Sequence, residues 1–132
     1  MPAVPLAARR IAFLIYACVL FGATHWPALE IQGPVPRTDL WLHVIAFTTW
    51  TALFGFAEFV APFRERTTPL LLVPCALVYA AVDEALQAVP VLNRHASFDD
   101  YTANAVGVFL GAAIVAIAGR VLPTTPTAHK AP

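Results

Sequence analysis

The chain has 132 residues, of which 59% are hydrophobic and 12% are charged, and its formal net charge is zero. Its mean hydropathy of +0.70 lies outside the range of soluble globular domains. The length suits a single domain, and the zero net charge gives no indication of a nucleic-acid partner.

Four apolar stretches of membrane-spanning length follow one another along the chain, at residues 11–26, 40–59, 70–88 and 101–122. A membrane span must satisfy its backbone hydrogen bonds internally, so we expect each stretch to be a helix. Thr38 or Asp39 is expected to cap the second helix, and Ser97 the fourth. The sequence predicts an all-α membrane protein, with one four-helix domain over residues 1–122 and a flexible tail over residues 123–132.

The first stretch has a second interpretation. Arg9 and Arg10 before an apolar run are typical of a secretory signal, and a paired arginine also occurs in twin-arginine signals. However, Phe21 is too large for the third position before a cut after Ala23, and the segment continues to Trp26, a residue typical of the membrane interface. We therefore favour a retained helix over a cleaved signal.

Basic residues are unevenly distributed between the two ends of the predicted bundle. With four spans, six lie on the side of the termini and two on the opposite side. The six are Arg9, Arg10, Arg64, Arg66, Arg120 and Lys130, and the two are Arg37 and Arg94. The positive-inside rule predicts that both termini are cytoplasmic.

Polar residues interrupt the third stretch near its predicted outer end. Asp83, Glu84 and Gln87 lie within about one helical turn, on neighbouring parts of one helix surface. A carboxylate inside a membrane span is costly, so its presence favours a functional site. A structural pairing with Arg94, in the loop that follows, is the alternative.

A second polar group enters the fourth stretch, where Asp100, Asn104, Gly107 and Gly111 form a single stripe on one helix face. Close helix packing explains the Gly-x-x-x-Gly pair, and a capping box with Ser97 explains Asp100. Asn104 lacks such an explanation, because an amide inside a span needs hydrogen-bond partners. We expect the glycines to bring the fourth helix against the third, with the two polar groups facing each other.

The sequence gives little support for metal or redox chemistry. His43 follows Asp39 by one turn in the second span, but no pair of histidines has metal-ligand spacing. No nucleophile motif, phosphate-binding loop or nucleotide fingerprint is present, so we expect no metal and no cofactor. Cys18 and Cys75 lie in separate spans and are expected to be small buried apolar residues.

These residues resemble the VanZ-like family of small bacterial membrane proteins. The family pattern is an acid followed four residues later by a histidine, then Glu-x-x-Gln, an outer-loop arginine, and Asp-x-x-x-Asn-x-x-Gly-x-x-x-Gly entering the last span. The corresponding residues here are Asp39, His43, Glu84, Gln87, Arg94, Asp100, Asn104, Gly107 and Gly111. The match covers roughly residues 39–111, although Leu40 and Val44 stand where family members usually carry a lysine and an aromatic residue.

The resemblance implies a multi-pass protein of the bacterial inner membrane that is connected with the cell envelope. The namesake of the family is associated with resistance to teicoplanin, a glycopeptide. We expect a polar pocket toward the outer leaflet that binds the headgroup of a membrane lipid or of a lipid-linked envelope precursor. The ligand-binding candidates are Gln87, Arg94, Asn104, Asp39 and Asp83, the acid–base candidates are Glu84, Asp100 and His43, and the helix-packing candidates are Gly107 and Gly111.

Two other functions stay open at this point. One is a membrane-embedded hydrolase or transferase that acts on a lipid headgroup. The other is a transporter or a structural subunit of a membrane assembly, in which the chain would form a homo-oligomer or bind a membrane partner. No nucleic-acid partner is expected.

Overall fold

The computed structural model describes residues 4–27, 36–90 and 97–122, and the regular elements of these residues are four long helices. They are α1 (Leu6–Thr24), α2 (Thr38–Phe56), α3 (Thr68–Gln87) and α4 (Phe98–Val121). The predicted all-α membrane bundle is confirmed. The predicted tail over residues 123–132 lies outside the described residues.

Three of the four helices, α1, α3 and α4, are long and apolar enough to cross a membrane. The exception is α2, whose 19 residues include an aspartate, a histidine and four threonines. These polar side chains lower its hydropathy, and several of them lie against other helices. α2 therefore differs from its neighbours in composition because it carries part of the polar interior.

The helix ends differ from the predicted spans for local reasons. α2 ends at Phe56, because the chain turns there and Glu58 adopts a left-handed φ of 55°. Neither Thr38 nor Asp39 caps α2, so that prediction is wrong: Arg37 precedes the helix with a φ of 56° and no side-chain cap bond. A polar residue near a helix start predicts the region of the boundary but not the residue that forms it.

α4 packs most extensively on α2 and less extensively on α3. A Cβ atom at Gly107 would lie 2.6 Å from the carbonyl oxygen of Val44, and one at Gly111 would lie 2.6 Å from that of Thr48. Both glycines thus allow α4 to approach the α2 backbone, and the prediction that they face the third helix is wrong. A glycine stripe marks a close contact, but nothing in its spacing identifies the partner helix.

Large apolar side chains are exposed on all four helices, among them Ile15, Ile45, Val78 and Phe109. This is the surface expected of a bundle in lipid, where burying apolar side chains between helices brings no hydrophobic gain. The same reason explains why Cys18 and Cys75 are both exposed. Our expectation that the two cysteines are buried is wrong.

Arginines fix one end of the bundle, which we call the basic end: the start of α1, the end of α2, the start of α3 and the end of α4. Arg9 Nη1 donates to the carbonyl oxygen of Phe56 at 2.8 Å, and Arg10 Nε donates to that of Ala57 at 3.1 Å. Such bonds satisfy carbonyl groups that a helix leaves unpaired at its C-terminus. α1 starts at Leu6, ahead of the predicted span, so both arginines lie inside the helix.

Candidate functional site

The opposite end of the bundle is the polar end, where α1 and α3 finish and α2 and α4 begin. Here His43 of α2 and Asn104 of α4 meet, with 2.9 Å between His43 Nδ1 and Asn104 Oδ1. Since an amide oxygen can only accept, Nδ1 carries the hydrogen, which leaves Nε2 of a neutral ring as an acceptor. His43 Nε2 lies 4.0 Å from Asp100 Oδ1. The imidazole is thus held by the amide on one side and faces a carboxyl group on the other.

The start of α4 supplies the next contact, and it differs from the expected capping box. Ser97 Oγ accepts the backbone N–H of Asp100 at 3.3 Å, so the predicted cap residue is confirmed. In a capping box the acid three residues on would accept the N–H of the cap residue. Here Glu84 of α3 takes that position, and its Oε1 accepts the N–H of Ser97 at 2.5 Å. The Asp100 carboxyl group is therefore left to face His43.

We call His43, Glu84, Asp100 and Asn104 the polar cluster. Glu84 is only 6% exposed, Asn104 is fully buried, and Glu84 lies within electrostatic range of Asp100 and His43. Among the described residues, Glu84 Oε2 and Asn104 Nδ2 have no hydrogen-bond partner. A buried polar atom without a partner costs roughly 1–3 kcal/mol. The cluster therefore has hydrogen-bonding capacity that these residues do not use among themselves.

Asp83 and Gln87 lie in a different environment, which we call the α1–α3 junction together with Thr24 and His25. Asp83 accepts hydrogen bonds from Thr24 Oγ1 and from Gln87 Nε2, each at 3.1 Å. His25 Nδ1 lies 3.8 Å from Asp83 Oδ1. The expectation that Gln87 faces Asn104 and Asp100 is not met, because its amide group donates to Asp83. Within the described structure, Asp83 holds the end of α1 against α3, and Gln87 bonds Asp83 from one turn further along α3.

The predicted residue Asp39 lies at the exposed rim of the polar end, together with Arg37 and Asp99. Arg37 Nη2 bonds Asp99 Oδ2 at 2.6 Å, and this hydrogen bond raises the pKa of Arg37. Asp39 is exposed in the first turn of α2 and lies within electrostatic range of Arg37. Arg94, which we expected to contact the acids, lies outside the described residues.

Three residues that sequence reasoning did not assign to a polar site take part in these contacts: Thr24, His25 and Ser97. The signal for the first two was weak, because a Thr-His pair at the end of a span is also typical of a membrane interface. Ser97 was predicted as a helix cap, but its N–H bond to an acid on another helix cannot be read from local spacing. No group of three or more histidine, cysteine, aspartate or glutamate side chains within residues 4–27, 36–90 and 97–122 could hold a metal ion.

The arrangement has two chemical capabilities. It can bind a polar group through Glu84 Oε2, Asn104 Nδ2 and the Asp100 carboxyl group, and it can exchange a proton at His43 Nε2. Comparisons of the chain with protein-family models, with curated proteins and with solved structures find no match.

Proposed function

We propose that the protein is a VanZ-like protein of the cell envelope, and that its polar cluster binds the headgroup of a membrane lipid or a lipid-linked precursor. The observation that carries this proposal is a pair of buried atoms, Glu84 Oε2 and Asn104 Nδ2, which lie beside His43 and Asp100 and have no hydrogen-bond partner among the described residues. A buried polar atom of this kind is stabilised when a ligand supplies its partner. The side chains of His43 and Asp100 are 13% and 18% exposed, so a ligand can reach the cluster.

The depth of the cluster fits a headgroup. Glu84 lies three residues before the end of α3, and Asp100 is the third residue of α4. At 1.5 Å per residue, both are within about 5 Å of the helix ends, which is the level of the interface rather than the middle of a bilayer. Apolar side chains are exposed along the adjoining helix surfaces. A lipid can thus approach sideways, with its chains against the helices and its headgroup at the cluster.

The cellular setting belongs to the same proposal. The distribution of basic residues supports a cytoplasmic position for both termini, which would place the polar end at the outer leaflet of a bacterial inner membrane. The resemblance to the VanZ-like family supports a role in the envelope. A contribution to resistance against glycopeptides of the teicoplanin type is proposed on that resemblance alone.

Native mass spectrometry of the purified protein tests the binding function. Wild type should retain bound lipid through mild detergent extraction, whereas Glu84→Gln and Asn104→Ala should lose it at equal yields of folded protein. Glutamine keeps an oxygen for the N–H of Ser97, so the cap of α4 should persist in the first variant. Glu65→Gln is the matched control, since it makes the same chemical change at an exposed acid of the basic end, away from the cluster. Equal lipid occupancy in all four proteins would contradict the proposal.

One observation favours a second candidate, a hydrolase or transferase that acts on the same headgroup. Asn104 fixes the hydrogen of His43 on Nδ1, so Nε2 is placed as a base beside Asp100. In such a reaction the hydroxyl group of water or of a second substrate would attack the headgroup ester and give its proton to His43 Nε2. As the ester bond breaks, Glu84 or Asp100 in its protonated form would protonate the oxygen that leaves. Lipid analysis should then show an altered headgroup composition both in a deletion strain and in a His43→Gln strain. Unchanged lipid composition in both strains would remove this candidate.

A further inference from the structure

Among the described residues of the polar end, acidic side chains outnumber basic ones, and this difference bears on the charge of the ligand. The described acids of this end are Asp39, Asp83, Glu84, Asp99 and Asp100, and Arg37 is the one described arginine. Arg37 is occupied by Asp99, and the α1–α3 junction supplies hydrogen bonds and a histidine to Asp83. Within the polar cluster, Glu84 and Asp100 form no ion pair with a described lysine or arginine side chain.

The hydrogen-bonding pattern of the cluster favours a ligand that donates hydrogen bonds. Glu84 Oε2, the Asp100 carboxyl group and His43 Nε2 are acceptors, and Asn104 Nδ2 is the one unpartnered donor among the described cluster residues. A phosphate or carboxylate ligand offers only acceptors and would meet mostly acceptors here. A primary ammonium group offers three N–H donors and a positive charge. It therefore complements both the charge and the hydrogen-bonding pattern.

We infer that the group bound by Glu84, Asp100 and His43 is a primary ammonium, so that the ligand is an amine-bearing headgroup. This inference rests on the proposed headgroup site and narrows its ligand class. The fully buried amide of Asn104 is an observation independent of the acids, because its Nδ2 provides a donor for a neighbouring oxygen of the same ligand. A quaternary ammonium such as choline has no N–H group and cannot make the three hydrogen bonds.

The test is a lipid titration of the full-length protein in detergent, followed by native mass spectrometry. Phosphatidylethanolamine, phosphatidylglycerol and phosphatidylcholine with identical acyl chains are compared, and soluble glycerophosphoethanolamine is added as a competitor. Wild type should prefer phosphatidylethanolamine over phosphatidylcholine by about tenfold, a difference typical of a few well-made polar contacts. Glu84→Gln and Asp100→Asn should each abolish this preference, and Glu65→Gln, at an exposed acid of the basic end, should keep it.

The possible results distinguish a failure of the ammonium inference from a failure of the proposed headgroup site on which it rests. Equal binding of the three lipids by wild type would overturn the ammonium inference and leave the headgroup site standing. Failure of wild type to bind any of the three lipids would overturn the proposed function itself. Competition by glycerophosphoethanolamine at the same concentration as the intact lipid would support the ammonium group but assign it to a soluble ligand. Retention of the preference in both cluster variants would overturn the inference even if wild type is selective.

Discussion

Two adjacent acids of α3 have different roles because successive residues of a helix point about 100° apart. Asp83 points to the end of α1, where the Thr24 hydroxyl group donates to it, and the Gln87 amide group donates to it from within α3. Glu84 points to the start of α4, where one carboxyl oxygen accepts the N–H of Ser97 and the other has no partner among the residues that the structure describes. Asp83 therefore links α3 to α1, whereas Glu84 links α3 to the start of α4 and contributes an oxygen to the candidate site.

Thr24→Val tests the structural role of the α1–α3 junction. It removes the hydroxyl group that donates to the buried Asp83, so the free energy of unfolding should fall by about 1 kcal/mol, the scale of hydrogen bonds between membrane helices. Thr102→Val is the control, since the exposed Thr102 hydroxyl group donates within its own helix. Unfolding by sodium dodecyl sulfate in mixed micelles gives both values. Equal destabilisation by the two substitutions would argue against the junction.

At the scale of residues, the sequence predicts which polar side chains need hydrogen-bond partners, but not which residues those partners are. Asn104 was singled out because an amide inside a span needs a partner, and the structure supplies His43 at 2.9 Å. The sequence predicts that Gln87 faces Asn104, but in the structure the Gln87 amide group donates to Asp83. Helical spacing gives the face of a residue, whereas its partner depends on how the helices are arranged.

At the scale of elements, the contact between α4 and α2 sets the geometry of the polar cluster. Gly107 and Gly111 let the two backbones approach, and Asn104 lies on the same stripe one turn nearer the polar end. The distance of the Asn104 amide from His43 therefore depends on glycine packing deeper in the bundle. A change at the glycines should reach the cluster through this helix pair.

Gly111→Ala should destabilise the protein by at least about 2 kcal/mol, because the new methyl group would lie 2.6 Å from the carbonyl oxygen of Thr48. Gly22→Ala is the matched control, since nothing lies within 4 Å of the corresponding position in α1. Alanine is also the better helix former, so the control should be neutral or slightly stabilising. Unfolding in mixed micelles measures both variants, and equal stability of the two would refute close packing at Gly111.

The order and class of the elements could be predicted because apolar runs of membrane length, separated by prolines, leave few alternatives. The pairing of the elements could not, since every helix exposes apolar residues and the glycine stripe would fit any neighbour. The start of α1 differs from the predicted one. The helix includes Arg9 and Arg10, whose side chains bond carbonyl oxygens at the end of α2.

At the scale of the whole molecule, the two ends of the bundle have opposite chemical character. The basic end carries arginines that bond the C-terminal carbonyl groups of α2 and α4. The polar end carries the acids and the cluster. This polarity is what the positive-inside rule needs to orient a membrane protein, and it supports a polar cluster that faces away from the cytoplasm.

Reporter fusions test this orientation. Fusions after Arg66 and after Pro123 should report the cytoplasm, and fusions within residues 31–37 and 91–95 should report the outside. The reason is the six-to-two distribution of basic residues between the two ends. A cytoplasmic signal from residues 91–95 would put the polar cluster at the inner leaflet and contradict the outer-leaflet site.

If His43 and its neighbours form a headgroup site, ¹⁵N NMR of the histidine side chains should detect lipid binding at His43. In the protein without added lipid, Nδ1 of His43 should carry a hydrogen bonded to Asn104, and His43→Gln identifies its signals. Adding a bacterial phospholipid extract to the protein in micelles should shift the Nε2 signal of His43. The signals of His25 in the α1–α3 junction should stay in place and serve as the internal control. An unchanged His43 signal at lipid saturation, or equal shifts of both histidines, would contradict the account.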